Sequence, residues 1–333
     1  MFKIILNSIL GVVLIIVWSR FVDLPQIAAT LSKVRLAYLV PIFFFMLVSP
    51  LLRAVRLKVI LSKVRKLSLL DLIWLNGAAL MLNFFIPIRA GEFAKAVYLN
   101  TNYQLNLGKA VVWIFLDRFI DFLVVLVLAA ILLFLVPTSL SAEGAFGITF
   151  IIIITVIPTL SVAVTYLAVF KKDFAKKLVN FLKPLLIVSS IKIYFERLVD
   201  FILESFSILD RHPKDLILII FITVLAYAAD AAIWYFTFIA LGAGQDFLKM
   251  YLGQVLSALT YLIPAAPGYV GSAEASGLLI LSGAFGLSPN LASAMIVLFH
   301  VLTVIFVLIF GIISLYFIKL NLGQILNKLL NRR

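Results

Sequence analysis

Arg89, Glu92 and Lys95 lie in "LNFFIPIRAGEFAK" (residues 82–95), where a proline, an arginine, a glycine and a glutamate closely follow an apolar run. Pro87 removes a backbone donor, and Gly91 lets the chain turn before a helix restarts near Glu92. A helix starting there would aim free N–H groups and its positive end at whatever precedes it. Arg89 adds a planar fork of donors that fits phosphate or carboxylate. The chemistry on offer is anion binding. A plainer reading stays open, in which Arg89 and Lys95 reach the lipid headgroups and Glu92 pairs with Lys95 one turn on.

Other ionisable residues stand in equally apolar surroundings. Arg118 is flanked by Asp117 and Asp121, and Asp121 is placed for an i, i+3 pair. That pair could hold substrate or fix helix register. Asp230 has no basic neighbour along its own segment, so it must be protonated, face water or pair with another helix. Glu274 follows a second break, "PAAPGYVGSAE", built from Pro264, Pro267, Gly268 and Gly271. His300 is the residue type that titrates near neutral pH, and together with Asp230 it is a candidate for proton coupling. Arg53 and Arg56, one turn apart at a helix end, are either substrate ligands or residues that mark the cytoplasmic side.

The elements that must position these residues are membrane helices. The chain has 333 residues, 64% hydrophobic and 13% charged, with a mean hydropathy of +1.19; soluble domains hold roughly 45–50% apolar and about 25% charged residues. There are no cysteines and two histidines, so thiol chemistry is excluded and neither a metal site nor any other cofactor is expected. The net charge of +13 reads as loops beside anionic lipid, with no nucleic-acid partner. No separate soluble catalytic domain is expected within this sequence, and "MFKIILNSILGVVLIIVWSR" reads as a retained first helix.

Length and apolarity place spans at 4–19, 36–52, 110–137, 146–170, 215–241 and 291–318. The apolar stretches 67–88 and 250–286 are interrupted by Pro, Gly and polar residues. Residues 53–66 carry six Lys or Arg, 171–214 carry nine, and the tail after Ile318 carries four. Placing all three inside puts both termini in the cytoplasm and makes 67–88 and 250–286 enter and leave on their own sides. The expected fold is an all-α polytopic membrane protein with about six spanning helices and two opposed re-entrant broken-helix elements in an inverted repeat. It forms a single integral membrane domain over 1–333, with halves at 36–137 and 215–318 and a cytoplasmic amphipathic connector at 171–214.

A shift of 177 positions lays "LNFFIPIRAG" (82–91) over "LTYLIPAAPG" (259–268). Beyond a five-residue gap, 110–128 lies over 292–310, so Arg118 meets His300 and Asp121 meets Thr303. Glu274 corresponds to Glu92 in role, though out of register in this alignment. Opposed halves with broken helices are a transporter architecture. The breaks should then face each other across a polar cavity, because irregular backbone is not exposed to lipid.

"NFFIPIRAGEFAKAVYL", "LDRFIDFLVVLVL" and "IPAAPGYVGSAEA", in that order, resemble the signature blocks of the lysylphosphatidylglycerol synthase transmembrane (flippase-like) family. "FVDLPQIA" and "RAVR" add to the likeness, which runs over essentially the whole chain. The resemblance implies lipid translocation, as in aminoacyl-lipid synthases, or in archaeal relatives linked to lipid-linked sugar carriers. Carried over, the family's motif residues are Pro87, Arg89, Gly91 and Glu92, then Arg118 and Asp121, then Pro267, Gly268, Gly271 and Glu274. Lys95 stands where the family often has arginine, which keeps the charge and loses the fork.

The function expected is that of a non-enzymatic flippase or scramblase in the cell membrane. Its substrate would be a phosphate-bearing lipid, such as a polyprenyl-phosphate sugar or an aminoacylated phospholipid. Substrate contacts are expected from Arg89, Glu92, Lys95, Arg118, Asp121, Glu274, Arg53 and Arg56. A lipid-modifying or glycosylation enzyme is a conceivable partner. The alternatives are a membrane-embedded lipid-phosphate transferase or hydrolase, and an accessory subunit of a lipid-modifying enzyme.

Overall fold

The computed structural model describes residues 12–13, 15–62, 64–86, 90–138, 213–260 and 266–318. The expected span 146–170 lies outside these residues, as do nearly all of the connector 171–214, most of span 4–19, and Pro87, Arg89 and Pro264.

Residues 15–19 are helical, and the helix after them, α1 (Leu24–Leu31), is capped by Asp23, whose carboxylate accepts from the Gln26 N–H at 3.1 Å. Four long helices match expected spans: α2 (Leu39–Leu61, entered through a 3-10 turn at Leu36–Tyr38), α5 (Leu107–Leu135), α6 (Pro213–Ala240) and α9 (Pro289–Ile318). Each is long and apolar enough to cross a membrane, with mean hydropathies of 1.9 to 3.0. Phe44, Phe134, Phe221 and Ile312 stand exposed on them; a soluble surface does not expose large apolar residues on this scale. The chain is a multi-pass helical membrane protein.

Between the long helices lie shorter ones: α3 (Leu69–Phe85), α4 (Ala90–Tyr103), α7 (Phe247–Thr260) and α8 (Ser272–Leu278), the last followed by a π turn at Leu279–Ala284. At 1.5 Å per residue, α3 is about 25 Å long and α7 about 21 Å, both short of the roughly 30 Å hydrocarbon layer. The order long helix, shorter helix, break, short helix, long helix therefore occurs twice, in α2 to α5 and in α6 to α9.

The α2 helix corrects the expected boundary at residue 52. Pro50 does not end it, and the helix runs on to Leu61. Arg53 and Arg56 are thus helix residues that turn inward, and neither belongs to the positively charged loop after the span. The bare residue count placed them in that loop because it stopped at the first charge.

Two large apolar cores form, with smaller clusters beside them. Leu57, Leu72, Leu99 and Trp113 join α2 to α5. Trp234, Phe238, Val255 and Met295 join α6, α7 and α9. The two sets of helices also interlock, since α2 packs along α6 and α3 along α9. Phe45 stacks on Phe236 with centroids 5.8 Å apart, and Trp74 stacks on Phe317 at 4.7 Å.

Candidate functional site

Arg56 is fully buried at the centre of an ion network. Its Nε donates to Asp117 at 2.9 Å, and its Nη1 donates to Asp121 and to the Thr223 hydroxyl. A guanidinium at 0% exposure in an apolar bundle persists only when its charge is answered, here through Nε and Nη1, since Nη2 has no hydrogen-bond partner among the described residues. Here two carboxylates from one face of α5 answer it.

The network runs on in both directions. On one side the Arg118 guanidinium holds Asp117 at 2.6 Å, approaches Asp121 at 3.6 Å and reaches Glu92 at 3.9 Å. Glu92 in turn pairs with Lys95 at 3.3 Å. On the other side Tyr227 donates to Asp121 at 3.2 Å, and the Arg53 guanidinium lies 5.2 Å over the Tyr227 ring. Arg53 also donates to Ser49 and pairs with Asp230 at 2.7 Å. Lys95, Arg118, Arg56 and Arg53 thus stand against Glu92, Asp117, Asp121 and Asp230, and the charges balance. Arg118 and Arg53 keep the most contact with the surroundings, at 27% and 21% exposure.

Several sequence expectations meet the structure here. Asp230 finds its cation on another helix, one of the three outcomes open to it. Arg118 and Asp121 approach at i, i+3, but the tighter contact is with the adjoining Asp117. Lys95 is buried and paired, so it does not reach for the headgroups. Arg56 meets Asp117, Asp121 and the Thr223 hydroxyl.

The first break is tightly built. Asn83, near the end of α3, accepts from the Gly91 N–H at 2.8 Å and donates to Glu92 at 3.3 Å. A Cβ on Gly91 would lie 2.1 Å from the Ala79 carbonyl oxygen, so only glycine lets α4 cross α3 at this distance. Glu92 is the third residue of α4, where a carboxylate complements the helix dipole. Burial pushes its carboxyl up, but Lys95 and Arg118 outweigh burial and hold it below the usual range. The free N–H groups expected to point into a cavity are in part already taken: Gly91 is answered by Asn83.

The second break has the same outline. Pro267–Tyr269 form a 3-10 turn with Gly268 at φ +71°, and Gly271 at φ +81° precedes α8. Glu274 is the third residue of α8 and accepts from the Gly271 N–H at 2.8 Å. His300 on α9 has one ring nitrogen 2.6 Å from Glu274 and the other 2.7 Å from the Gly268 carbonyl. Burial pushes the Glu274 carboxyl up. The hydrogen bond and charge of His300, with the Gly271 N–H, override that and hold it below the usual carboxylate range.

Helix starts correct the register between the two breaks. Ala90 opens α4 and Ser272 opens α8; Leu107 opens α5 and Pro289 opens α9. The five-residue gap therefore falls inside the second break, before Glu274. With the gap there, Glu92 corresponds to Glu274 in register, just as Arg118 corresponds to His300. Both acid–base pairs are separated by 26 residues. The two breaks also touch: Phe84 packs edge-on against Tyr269 at 5.9 Å and His300 at 6.3 Å. The contact between them at this point is aromatic, not a polar space.

Asn83, Asp117, Thr223 and Tyr227 were not among the expected site residues. Thr223, Tyr227 and Asp230 follow one another at helical spacing, a polar stripe in an apolar helix that marks an inward face. Asn83 gave no comparable signal, because its partners depend on where the chain turns back.

Among known sequences, the family model described as the lysylphosphatidylglycerol synthase TM region matches residues 4–311. No curated protein and no solved structure matches the chain.

Proposed function

Because the chain belongs to the lysylphosphatidylglycerol synthase transmembrane-region family, we propose that it moves a phosphate-bearing lipid between bilayer leaflets. The observation that carries this reading is the ion network, which joins α2, α4, α5 and α6 within an otherwise apolar bundle. Ionisable residues inside a membrane protein mark substrate or ion paths. Arg118 is the cation best placed to engage a headgroup. It is partly exposed, and its contact with Glu92 is long at 3.9 Å. A phosphate would take the place of Glu92 beside Arg118 and leave Glu92 with Lys95. Arg89, which directly precedes α4 in sequence, would add a bidentate donor and the positive charge that the balanced network lacks.

In this reading α3–α4 and α7–α8 are re-entrant elements entered from opposite faces. The two halves form an inverted repeat, and both termini face the cytoplasm of a cell membrane. The chain is a transporter and not an enzyme, and a lipid-modifying or glycosylation enzyme would supply its substrate. The favoured headgroups are a polyprenyl-phosphate sugar and an aminoacylated phospholipid, both of which present a phosphate beside a polar or cationic group.

The test is translocation in proteoliposomes of phosphatidylglycerol and phosphatidylethanolamine carrying a fluorescent phosphatidylglycerol or a fluorescent polyprenyl phosphate. Arg89→Ala and Arg118→Ala should each abolish movement of the probe that wild-type protein translocates, with Arg89→Ala still folded. Unchanged translocation in Arg89→Ala would remove the phosphate site from the mechanism.

A further inference from the structure

Gly268, Glu274 and His300 set a constraint on protons that the corresponding charged residues of the first half do not. The Gly268 carbonyl oxygen has no proton, so it can only accept, and the His300 nitrogen 2.7 Å away must carry a hydrogen to bond it. Glu274, when ionised, is also an acceptor, so the other ring nitrogen at 2.6 Å must carry a hydrogen too. Both bonds together require an imidazolium facing a carboxylate, or a neutral imidazole facing a protonated carboxyl. Either way the set holds one proton more than neutral histidine beside ionised glutamate. Removal of that proton forces a lone pair against an oxygen at one of the two contacts. One of them must then open.

No other charged side chain among the described residues answers this charge. Glu274 is the only charged side chain of α8, and His300 is the only Asp, Glu, Lys, Arg or His of α9. Phe84 of α3 presents an aromatic edge to the imidazole, and the one charged group of α3, Asp71, is bound to Tyr103 at the far end of that helix. On α7, Lys249 donates to the Phe285 carbonyl at 3.2 Å. The α1 helix, which also packs on α9, has no charged residue. On the two other helices that touch α9, Arg53 and Arg56 of α2 and Asp230 of α6 pair within the ion network. Electrostatically Glu274 and His300 answer only each other. In the first half the corresponding pair is Glu92 with Arg118, and a guanidinium keeps its charge at every physiological pH.

We propose that Glu274, His300 and the Gly268 carbonyl form a proton-binding site that latches the second break to α9, and that releasing its proton opens the latch. The ligand is a single proton, taken up from water as His300 gains its second N–H and given back when the latch opens. The first break has no such release, so protons act on one half only. Coupled to the lipid translocation proposed above, on which this last step rests, the site makes transport respond to pH.

The experiment uses the full chain with His212→Asn, which leaves His300 as its only histidine. It is labelled with 15N-histidine and placed in phosphatidylglycerol nanodiscs. NMR should show both ring nitrogens protonated at the acid end of roughly pH 5 to 9 and one of them losing its proton across that range. Glu274→Gln should weaken proton binding by His300 about tenfold or more, the effect of losing a close opposite charge. A single unchanging tautomer from end to end, or a titration that Glu274→Gln leaves in place, overturns the proposal. In proteoliposomes of phosphatidylglycerol and phosphatidylethanolamine carrying fluorescent phosphatidylglycerol, the His212→Asn protein should translocate with a pH dependence that His300→Arg flattens. If the titration is seen and no translocation occurs at any pH, the proton site stands and the translocation reading falls.

Discussion

Arg53 and Asp230 stand 177 residues apart, the same shift that lays the first two helices of one half over those of the other, and their side chains meet at 2.7 Å. In two halves related by a two-fold axis, a residue approaches its own counterpart only near that axis. On the inverted-repeat reading proposed above, the pair would lie at the point about which the halves rock, and the contact there is a salt bridge, not an apolar one.

Reversal of the pair tests that placement. Asp230→Asn should destabilise the protein by about 2 kcal/mol, the cost of an uncompensated charge reduced for its partial exposure. Arg53→Asp with Asp230→Arg should recover most of that loss, because near an axis the two sites have similar surroundings. Thermal unfolding in detergent of the single and double variants measures it. A double variant no better than the singles would show that the sites differ.

Arg56 is the residue whose loss should be least tolerated. Arg56→Met leaves Asp117 and Asp121 buried with Arg118 as the one cation between them, at a cost of about 3–5 kcal/mol. Arg56→Lys should recover little, because Nε and Nη1 serve different carboxylates and an ammonium cannot span both. Yield of monodisperse protein and its unfolding temperature report the outcome. A stable Arg56→Met protein would count against the network as a structural requirement.

Gly91→Ala should separate α3 from α4. The added methyl meets backbone, which cannot turn aside, so a loss of about 1–3 kcal/mol is expected. Loss of the Asn83 contacts should follow, seen as faster hydrogen exchange at Gly91 and its neighbours. An unfolding temperature equal to wild type would show that the crossing is wider than described.

Topology is open to a direct test, since the chain has no cysteine to remove. Lys66→Cys and Lys109→Cys, at the two ends of the first broken element, should react with an impermeant thiol reagent from the same face of the membrane. Gly244→Cys and Ser288→Cys should both react from the opposite face. Labelling of Lys66→Cys and Lys109→Cys from different faces would make α3–α4 a crossing and remove the opposed arrangement.

What the sequence disclosed followed the range over which its patterns act. The four long helices were legible from runs of apolar residues, and the Arg118–Asp121 approach from i, i+3 spacing. The partners of Arg56 were not, because Asp117 and Asp121 lie 61 and 65 residues away on another helix. The interruption between α3 and α4 was visible in Pro87 and Gly91, yet the hold of Asn83 on Gly91 and Glu92 arises only once α4 folds back on α3. Glu92 and Glu274 read as out of register because an ungapped shift aligns the prolines. Proline and glycine spacing is set by the local turn, whereas the helix starts that align the glutamates are set by packing.

The full burial of Arg56 also bears on the order of assembly. During synthesis α2 reaches the membrane well before α5, so its arginines wait there without the carboxylates that will neutralise them. An unpartnered arginine at a helix centre costs about 2.5–3.5 kcal/mol on insertion, which favours holding α2 at the insertion machinery until α5 emerges. Asp117 and Asp121 then answer Arg56, but Arg53 still has no acid, because Asp230 is made last. Expressed without α6, the first set of helices would carry a surplus buried positive charge, so the two halves cannot be finished one at a time.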